Sequence, residues 1–235
     1  MVTQLNANDL LRAKALTVYE RLLATHGEHP LVSRREPMHE LISTILSHRT
    51  TEKNEAVAFK QMWDRFGSWQ AIRDAPLPEL VEVLQPATFP DTKASYVKGA
   101  LERIYAARGE ASIDFLRDLP VDEGLAWLIS LPGVGIKTAS LVLLFCFSKP
   151  IMPVDSHVHR VSQRLGLIGP KVSPNPAHKI LLEILPHDPY VLFNFHIDML
   201  RHGQKVCSWE SPRCGQCPLT DLCNWYQENR APVRI

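Results

Sequence analysis

Apolar residues recur along this chain at three- and four-residue intervals. Nowhere do they alternate over a strand's length, so the pattern predicts an all-α protein. Residues 9–25 form the first helix, with Leu10, Ala13, Leu16, Tyr19, Leu22 and Leu23 as its apolar stripe and a stop over 27–30. A second helix begins at 37, with Leu41, Ile42, Ile45 and Leu46 facing inward, and ends in the polar cluster Ser47-His48-Arg49-Thr50-Thr51. Helices follow at 53–66, 68–74 and 77–84, with Ser68 and the Pro76/Pro78 pair as start signals. A turn over 84–93 holds Phe89 between Pro86 and Pro90, and a helix over 93–107 has Ala94, Val97, Leu101, Ile104 and Tyr105 as its apolar positions. Segments 112–116 and 122–130 lead to the middle of the chain. Beyond it come a proline-rich loop over 170–176 and two helices at 177–185 and 189–202. The total is roughly ten to twelve helices of about three turns each.

The middle stretch is Leu131-Pro-Gly-Val-Gly-Ile-Lys137-Thr-Ala-Ser140. Helical spacing runs into it through Leu125, Leu128 and Ile129, and out of it through Leu141, Val142, Leu144 and Phe145. Pro132 cannot continue the first helix, and Gly133 and Gly135 permit a tight or left-handed backbone. The reading is helix, hairpin, helix. The second helix starts with unpaired N–H groups and the positive end of its dipole, which suits a phosphate approaching past Gly133, Val134 and Gly135. A plain interhelical turn is the other reading of the same residues. Lys137 falls in the first turn of that helix, where a cation is electrostatically disfavoured. A neutral amine is a nucleophile and forms a Schiff base with a carbonyl carbon; a lysine that only contacts phosphate as a point charge is the plainer alternative.

Further on, Asp155 follows Pro153 and precedes Ser-His157-Val-His-Arg160, an N-cap signal that leaves room for a chemical role as well. His157, His159 and His196 share no metal-ligand spacing and read as packing or phosphate-adjacent histidines. The C-terminal segment carries Cys207-x6-Cys214-x2-Cys217-x5-Cys223, with Lys205, Pro212 and Arg213 beside it. Four thiolates this close can hold a tetrahedral zinc or a [4Fe–4S] cluster, and softness does not choose between them. Cys146 sits in an apolar helix and reads as a small core residue.

Composition narrows the class. A chain of 235 residues makes one or two domains, and 45% hydrophobic with 22% charged residues is ordinary for a globular protein. With a net charge of +1, polyanion binding must come from a local face. Residues 1–9 lack the apolar core of a signal peptide, and no apolar run reaches spanning length. The expectation is a cytoplasmic monomer, nucleoid-associated if prokaryotic. Clustered cysteines in such a compartment argue for metal over disulfides.

Taken together, the hairpin over 131–140, the segment Val154-Asp-Ser-His-Val158 and the four-cysteine spacing resemble the endonuclease III family of helix-hairpin-helix DNA glycosylases. The resemblance runs from Met38 to Cys223 with the motifs in family order, and it favours [4Fe–4S] over zinc. It implies a two-lobed all-α fold. A six-helix barrel with the hairpin would span 30–149, and a cluster lobe would combine 1–29 with 150–235. Double-stranded DNA containing damaged bases or abasic sites would bind in the cleft between them. A base buried in the stack must be flipped out before chemistry can reach it. Lys137 would then attack the sugar C1′, and Asp155 would stabilise developing positive charge and assist proton transfer. A lysine at this place marks bifunctional members, glycosylases that also cleave abasic sites by β-elimination.

Arg49, on the 46–51 loop, and Phe89, on the 87–90 loop, take the places of residues that fill the gap left by the flipped nucleotide. Hairpin residues Gly133, Val134 and Gly135, and His157, would contact the DNA backbone. Three departures bear on substrate. Arg49 stands where the family usually has Gln, the second loop reads Ala87-Thr-Phe-Pro90, and Ile136 replaces a basic neighbour of Lys137. Oxidised pyrimidines are the expected substrates. The alternatives are mismatched or alkylated bases, abasic sites alone, or lesion binding without catalysis.

Overall fold

The computed structural model describes residues 6–32 and 35–229. Among these residues there are twelve α-helices and two short 3-10 turns, and no strand. They fall into two compact units, one from the described residues of Val32–Phe147, the other from those of Met1–Leu31 and Ser148–Ile235.

Local chemistry sets most helix ends. In the first unit α2 (Pro37–Ser47) starts under the Glu36 carboxylate, which accepts from Met38 and His39 N–H, with proline at its first position. Helix α3 (Glu52–Phe66) is capped by Thr51 and stopped by left-handed Gly67. Helix α4 (Trp69–Asp74) is capped by Ser68, and α5 (Leu77–Val83) follows it. Helix α6 (Pro90–Arg108) begins three residues before the expected Lys93, because Pro90 fits the first helical turn once Phe89 takes a left-handed backbone. Helices α7 (Val121–Ile129) and α8 (Ile136–Phe147) flank the hairpin. In α8, Thr138 through Leu144 are all buried, as are Cys146 and Phe147, and the helix packs on α2 and α7. A helix apolar on every side belongs in a core.

The second unit holds α1 (Ala7–His26), α9 (Ser156–Leu165), α10 (Pro174–Ile184), α11 (Pro189–Lys205) and α12 (Asn224–Asn229). The α1 stripe differs from expectation. Ala15, Val18, Tyr19 and Leu22 face inward, whereas Leu10 is 57% and Leu16 42% exposed. Two overlapping stripes have helical spacing here, and packing on α11 selects the one through Val18. Helix α10 starts at Pro174, inside the expected loop, for the reason that α6 starts at Pro90. Helix α11 packs on both α1 and α9. At its crossing with α9, a Cβ on Gly203 would lie 2.8 Å from the Cβ of His157, so only glycine permits the approach. No helix among the described residues is long and apolar enough to cross a membrane.

A polar cluster pins residue 29 to α11. His29 N–H donates to Asn194 Oδ1 at 2.8 Å, Asn194 Nδ2 donates to the His29 carbonyl at 3.1 Å, and His29 Nε2 lies 3.0 Å from Asp198 Oδ1. Asp198 is fully buried, and burial pushes its carboxyl up to about 7, with Arg201 pulling the other way. A carboxyl raised in the native state binds its proton more tightly there than when unfolded. Its contribution is therefore whole below the unfolded value of 3.8 and is lost as pH rises through about 7. Relative to Asp198→Asn, the protein should lose on the order of 1–3 kcal/mol across that window. Urea denaturation of both proteins at several pH values checks this, and parallel profiles would contradict it.

Candidate active site and metal centre

The hairpin closes tightly. Val134 N–H donates to the Leu131 carbonyl at 3.2 Å, and Gly133 takes φ +75°. Helix α6 lies against this turn. A Cβ on Gly133 would stand 2.6 Å from the ring of Tyr96, and one on Gly99 would stand 3.1 Å from Pro132 Cγ. Gly133 is thus required twice, for its backbone angle and for the space above it. Gly135 is exposed, with nothing within 4 Å of where its Cβ would be. The first N–H groups of α8 consequently sit behind an open surface, the geometry an anion needs. Lys137 is the second residue of α8 and is half-buried.

The two polar loops of the same unit meet. Thr88 N–H donates to Thr50 Oγ1 at 3.0 Å, joining the 46–51 and 87–90 loops. Arg49 (φ +52°) and Phe89 (φ +58°) both hold left-handed backbones, and both are exposed, Phe89 by 55%. Such angles are uncommon for residues other than glycine and cost about 1–3 kcal/mol each. The first loop is also tied to α8, since His48 Nε2 lies 3.1 Å from Thr138 Oγ1. Burial, then the ammonium groups of Lys137 and Lys93, push His48 below the ordinary histidine range, so it is neutral.

In the other unit Asp155 caps α9. Its Oδ1 accepts from His157 N–H at 2.9 Å and Val158 N–H at 2.7 Å, so the backbone bonds fall on one oxygen. His157 is half-buried, with Nδ1 3.1 Å from Arg160 Nη2. His159 and His196 pair with backbone carbonyls, those of Val172 and Pro153 respectively, as packing histidines do. Cys146 is buried.

Cys207, Cys214, Cys217 and Cys223 line one pocket with Arg164, Val206, Pro212, Thr220, Trp225 and Tyr226. Cys207 lies one residue beyond the end of α11, past Val206, with its N–H donating to the His202 carbonyl, and Cys223 directly precedes α12. Burial and the neighbouring sulfurs push the Cys217 thiol up to about 11, and burial raises Cys223 as well. Thiolates this close need positive charge. Arg164 Nη1 donates to Cys207 Sγ at 3.2 Å, and the metal would supply the rest. Among the described residues no three His, Cys, Asp or Glu side chains close around the position of one metal ion. Four cysteine sulfurs about one pocket supply the donor set for a thiolate-bound metal group.

Residues 42–187 match the HhH-GPD superfamily of base excision DNA repair proteins, and residues 211–223 match the iron–sulfur binding domain of endonuclease III. A helix-hairpin-helix base-excision glycosylase is accordingly the class that fold and site define. Endonuclease III of Thermotoga maritima is 31% identical over 192 residues, 82% of this chain and 84% of that protein. Thymine/uracil-DNA glycosylase of Pyrobaculum aerophilum is 29% identical over 209 residues, 86% and 87% of the two chains. A solved structure of a trapped endonuclease III–DNA covalent intermediate superposes with a TM-score of 0.79 at 26% identity, covering 92% of this chain and 97% of that one. The chain belongs to the endonuclease III family of HhH-GPD DNA glycosylases, and its cofactor is an iron–sulfur cluster carried by Cys207, Cys214, Cys217 and Cys223.

Sequence reasoning passed over several residues that shape this site. Lys93 read as a helix start, Tyr96 and Gly99 as ordinary helix positions, and Arg164 not at all. Only Lys93 gave a signal, a charge at a position whose neighbours Ala94 and Val97 are core residues. Two outcomes test the geometry. Gly133→Ala should cost at least about 2 kcal/mol in urea denaturation, falling to about 1 kcal/mol in a Tyr96→Gly background, which removes both the ring and the Tyr96 Cβ that would lie 2.7 Å from the added carbon. Cys217→Ser should lower bound iron and visible absorbance, measured by iron analysis and spectroscopy of the purified protein.

Proposed function

We propose that this glycosylase is bifunctional, excising oxidised pyrimidines from duplex DNA and cleaving the resulting abasic site through a Schiff base on Lys137. The observation that carries the reading is Lys137 itself, half-buried in the first turn of α8 directly behind an open glycine hairpin. A relative of known structure is described as a trapped covalent intermediate with DNA, which is what an amine nucleophile produces.

The chemistry runs in four steps. Duplex DNA docks with a phosphate on the N–H groups at the start of α8, beside Gly133, Val134 and Gly135, and the damaged nucleotide swings out of the stack. Arg49 and Phe89 occupy the gap. The Lys137 amine, after giving up a proton, forms a bond to C1′ as the bond to the base breaks, and the base leaves with the electron pair and takes up a proton. The sugar ring opens to a protonated imine. Loss of a C2′ proton then expels the 3′ phosphate, and water releases the lysine. Asp155 contributes a carboxylate fixed by two backbone amides on Oδ1, leaving Oδ2 to face developing positive charge. His157, next but one in sequence, contacts the DNA backbone.

A second reading is favoured by one pairing of facts. Arg49 and the loop residues around Phe89, which would meet the bases, depart from the family pattern, and a thymine/uracil glycosylase is 29% identical over most of the chain. Under it the chemistry is the same and the excised base is a mismatched thymine or uracil.

Borohydride trapping on labelled duplexes separates these readings. Wild-type protein should trap on both a thymine glycol duplex and an abasic duplex, and Lys137→Gln should lose at least about a hundredfold on each. Trapping on abasic and mismatch duplexes but not on thymine glycol supports the second reading. Undiminished trapping by Lys137→Gln rejects Lys137 as the nucleophile.

A further inference from the structure

Lys93 is a buried cation that the proposed chemistry does not use. It is 3% exposed, and its ammonium donates to the Leu46 carbonyl and to Thr50 Oγ1. The first partner lies in the last turn of α2, where the helix dipole places negative charge. The second is the hydroxyl that also accepts from Thr88 N–H and donates to the His48 carbonyl at 3.3 Å. One hydroxyl thus joins three pieces of chain: the α2–α3 loop, the 87–90 loop and, through Lys93, the first turn of α6. The residues beside the two joined loop atoms, Arg49 before Thr50 and Phe89 after Thr88, are the ones with left-handed backbones and exposed side chains.

Left-handed backbones at bulky residues persist only where the surroundings over-determine them. Neither loop is long enough to bury its own support. The support is the shared hydroxyl and the ammonium beneath it. We infer that Lys93 and Thr50 form a clasp that locks the two loops together and holds Arg49 and Phe89 as one paired wedge, making Lys93 a positioning residue for insertion into DNA. The inference rests on the proposed role of Arg49 and Phe89 at the gap left by a flipped nucleotide. A charged donor suits the task, since hydrogen bonds from a cation are about twice as strong as neutral ones. Burial pushes Lys93 down to about 8, with Glu55 pulling the other way, so the group is protonated at neutral pH.

The test reads insertion apart from catalysis. A duplex carries a stable abasic analogue with 2-aminopurine opposite it, and fluorescence is followed at saturating protein. Wild-type protein should raise the signal severalfold as the wedge unstacks the probe. The Arg49→Ala/Phe89→Ala protein should not. Lys93→Met and Thr50→Val should each lose most of the rise at saturation, while Thr50→Ser, which keeps the hydroxyl, should retain it. Adding Lys93→Met to the wedge-less protein should change nothing further. Borohydride trapping on a single-stranded abasic oligonucleotide, where no stack needs opening, should fall less than twofold in Thr50→Val.

Several results would overturn the clasp. One is a wild-type protein that traps on abasic DNA without raising fluorescence. Another is equal rises from Thr50→Val and Thr50→Ser. A third is a Lys93→Met effect that persists undiminished in the wedge-less protein. Fluorescence that follows the expected pattern without any trapping would keep the clasp and reject the lyase chemistry.

Discussion

The close seating of α6 on the hairpin is the constraint on which the first unit depends. Gly133 and Gly99 leave out the two β-carbons that would otherwise run into Tyr96 and Pro132 respectively. That contact fixes where the hairpin turns and hence where α8 begins. Interiors are packed too densely for such a contact to be loosened in part. One turn earlier on α6, Lys93 bonds to the end of α2 and to Thr50. One helix therefore positions both the loops bearing Arg49 and Phe89 and the turn bearing Lys137. His48, bonded to Thr138 next to Lys137, closes the circuit from the first loop back to α8.

The second unit repeats this economy on α9. Its N-cap is Asp155, and Arg160 and Arg164 follow one and two turns on. Arg160 Nε donates to the Cys207 carbonyl at 3.0 Å, and Arg164 donates to Cys207 Sγ, to the Ser208 carbonyl and to the Trp209 carbonyl. Hydrogen bonds around a metal group orient its ligands and tune its charge. The arginines also stiffen the loop beyond α11, which has only a short 3-10 turn of its own. From the opposite side α1 reaches the same loop, as Arg21 donates to the Pro218 carbonyl and pairs with Asp221. The cluster segment is held by cations from two helices, of which Arg164 on α9 reaches a cysteine sulfur directly.

Legibility in the sequence followed the range of the physics involved. Capping is local, so Ser68 and Asp155 were readable as starts, and the hairpin was readable from Pro132 and its glycines. Prolines at first helical positions misled in one direction only, since Pro90 and Pro174 look like breakers and serve as starters. The inward face of α1 was not readable, because two stripes of equal period compete and α11, more than 160 residues away in sequence, selects between them. The four cysteines were readable as a metal site from spacing alone, but the choice of cluster over zinc needed the resemblance, and the match of residues 211–223 to an iron–sulfur binding domain supports it. Tyr96, Gly99 and Lys93 were invisible as site residues because their roles are tertiary contacts between segments distant in the chain.

The departures from the family pattern fall on particular kinds of position. Arg49 and Phe89, the latter within the altered 87–90 loop, are exposed, and their backbones are held by neighbouring groups rather than by their own side chains. Ile136 opens α8 and is half-buried. Replacing such side chains alters what meets the DNA without disturbing a core contact. Lys137 and the residues that frame it obey a different rule, since the hairpin tolerates no β-carbon at Gly133 and α8 is buried from Thr138 onward. A fold arranged in this way separates the chemistry from the choice of base. On the proposed roles, the reaction would be tied to packing that cannot be altered cheaply, whereas base preference would sit on the exposed side chains of Arg49 and Phe89. Substrate range can then drift while Lys137, Asp155 and the four cysteines stay in place, and the unusual loop residues of this chain fit that division.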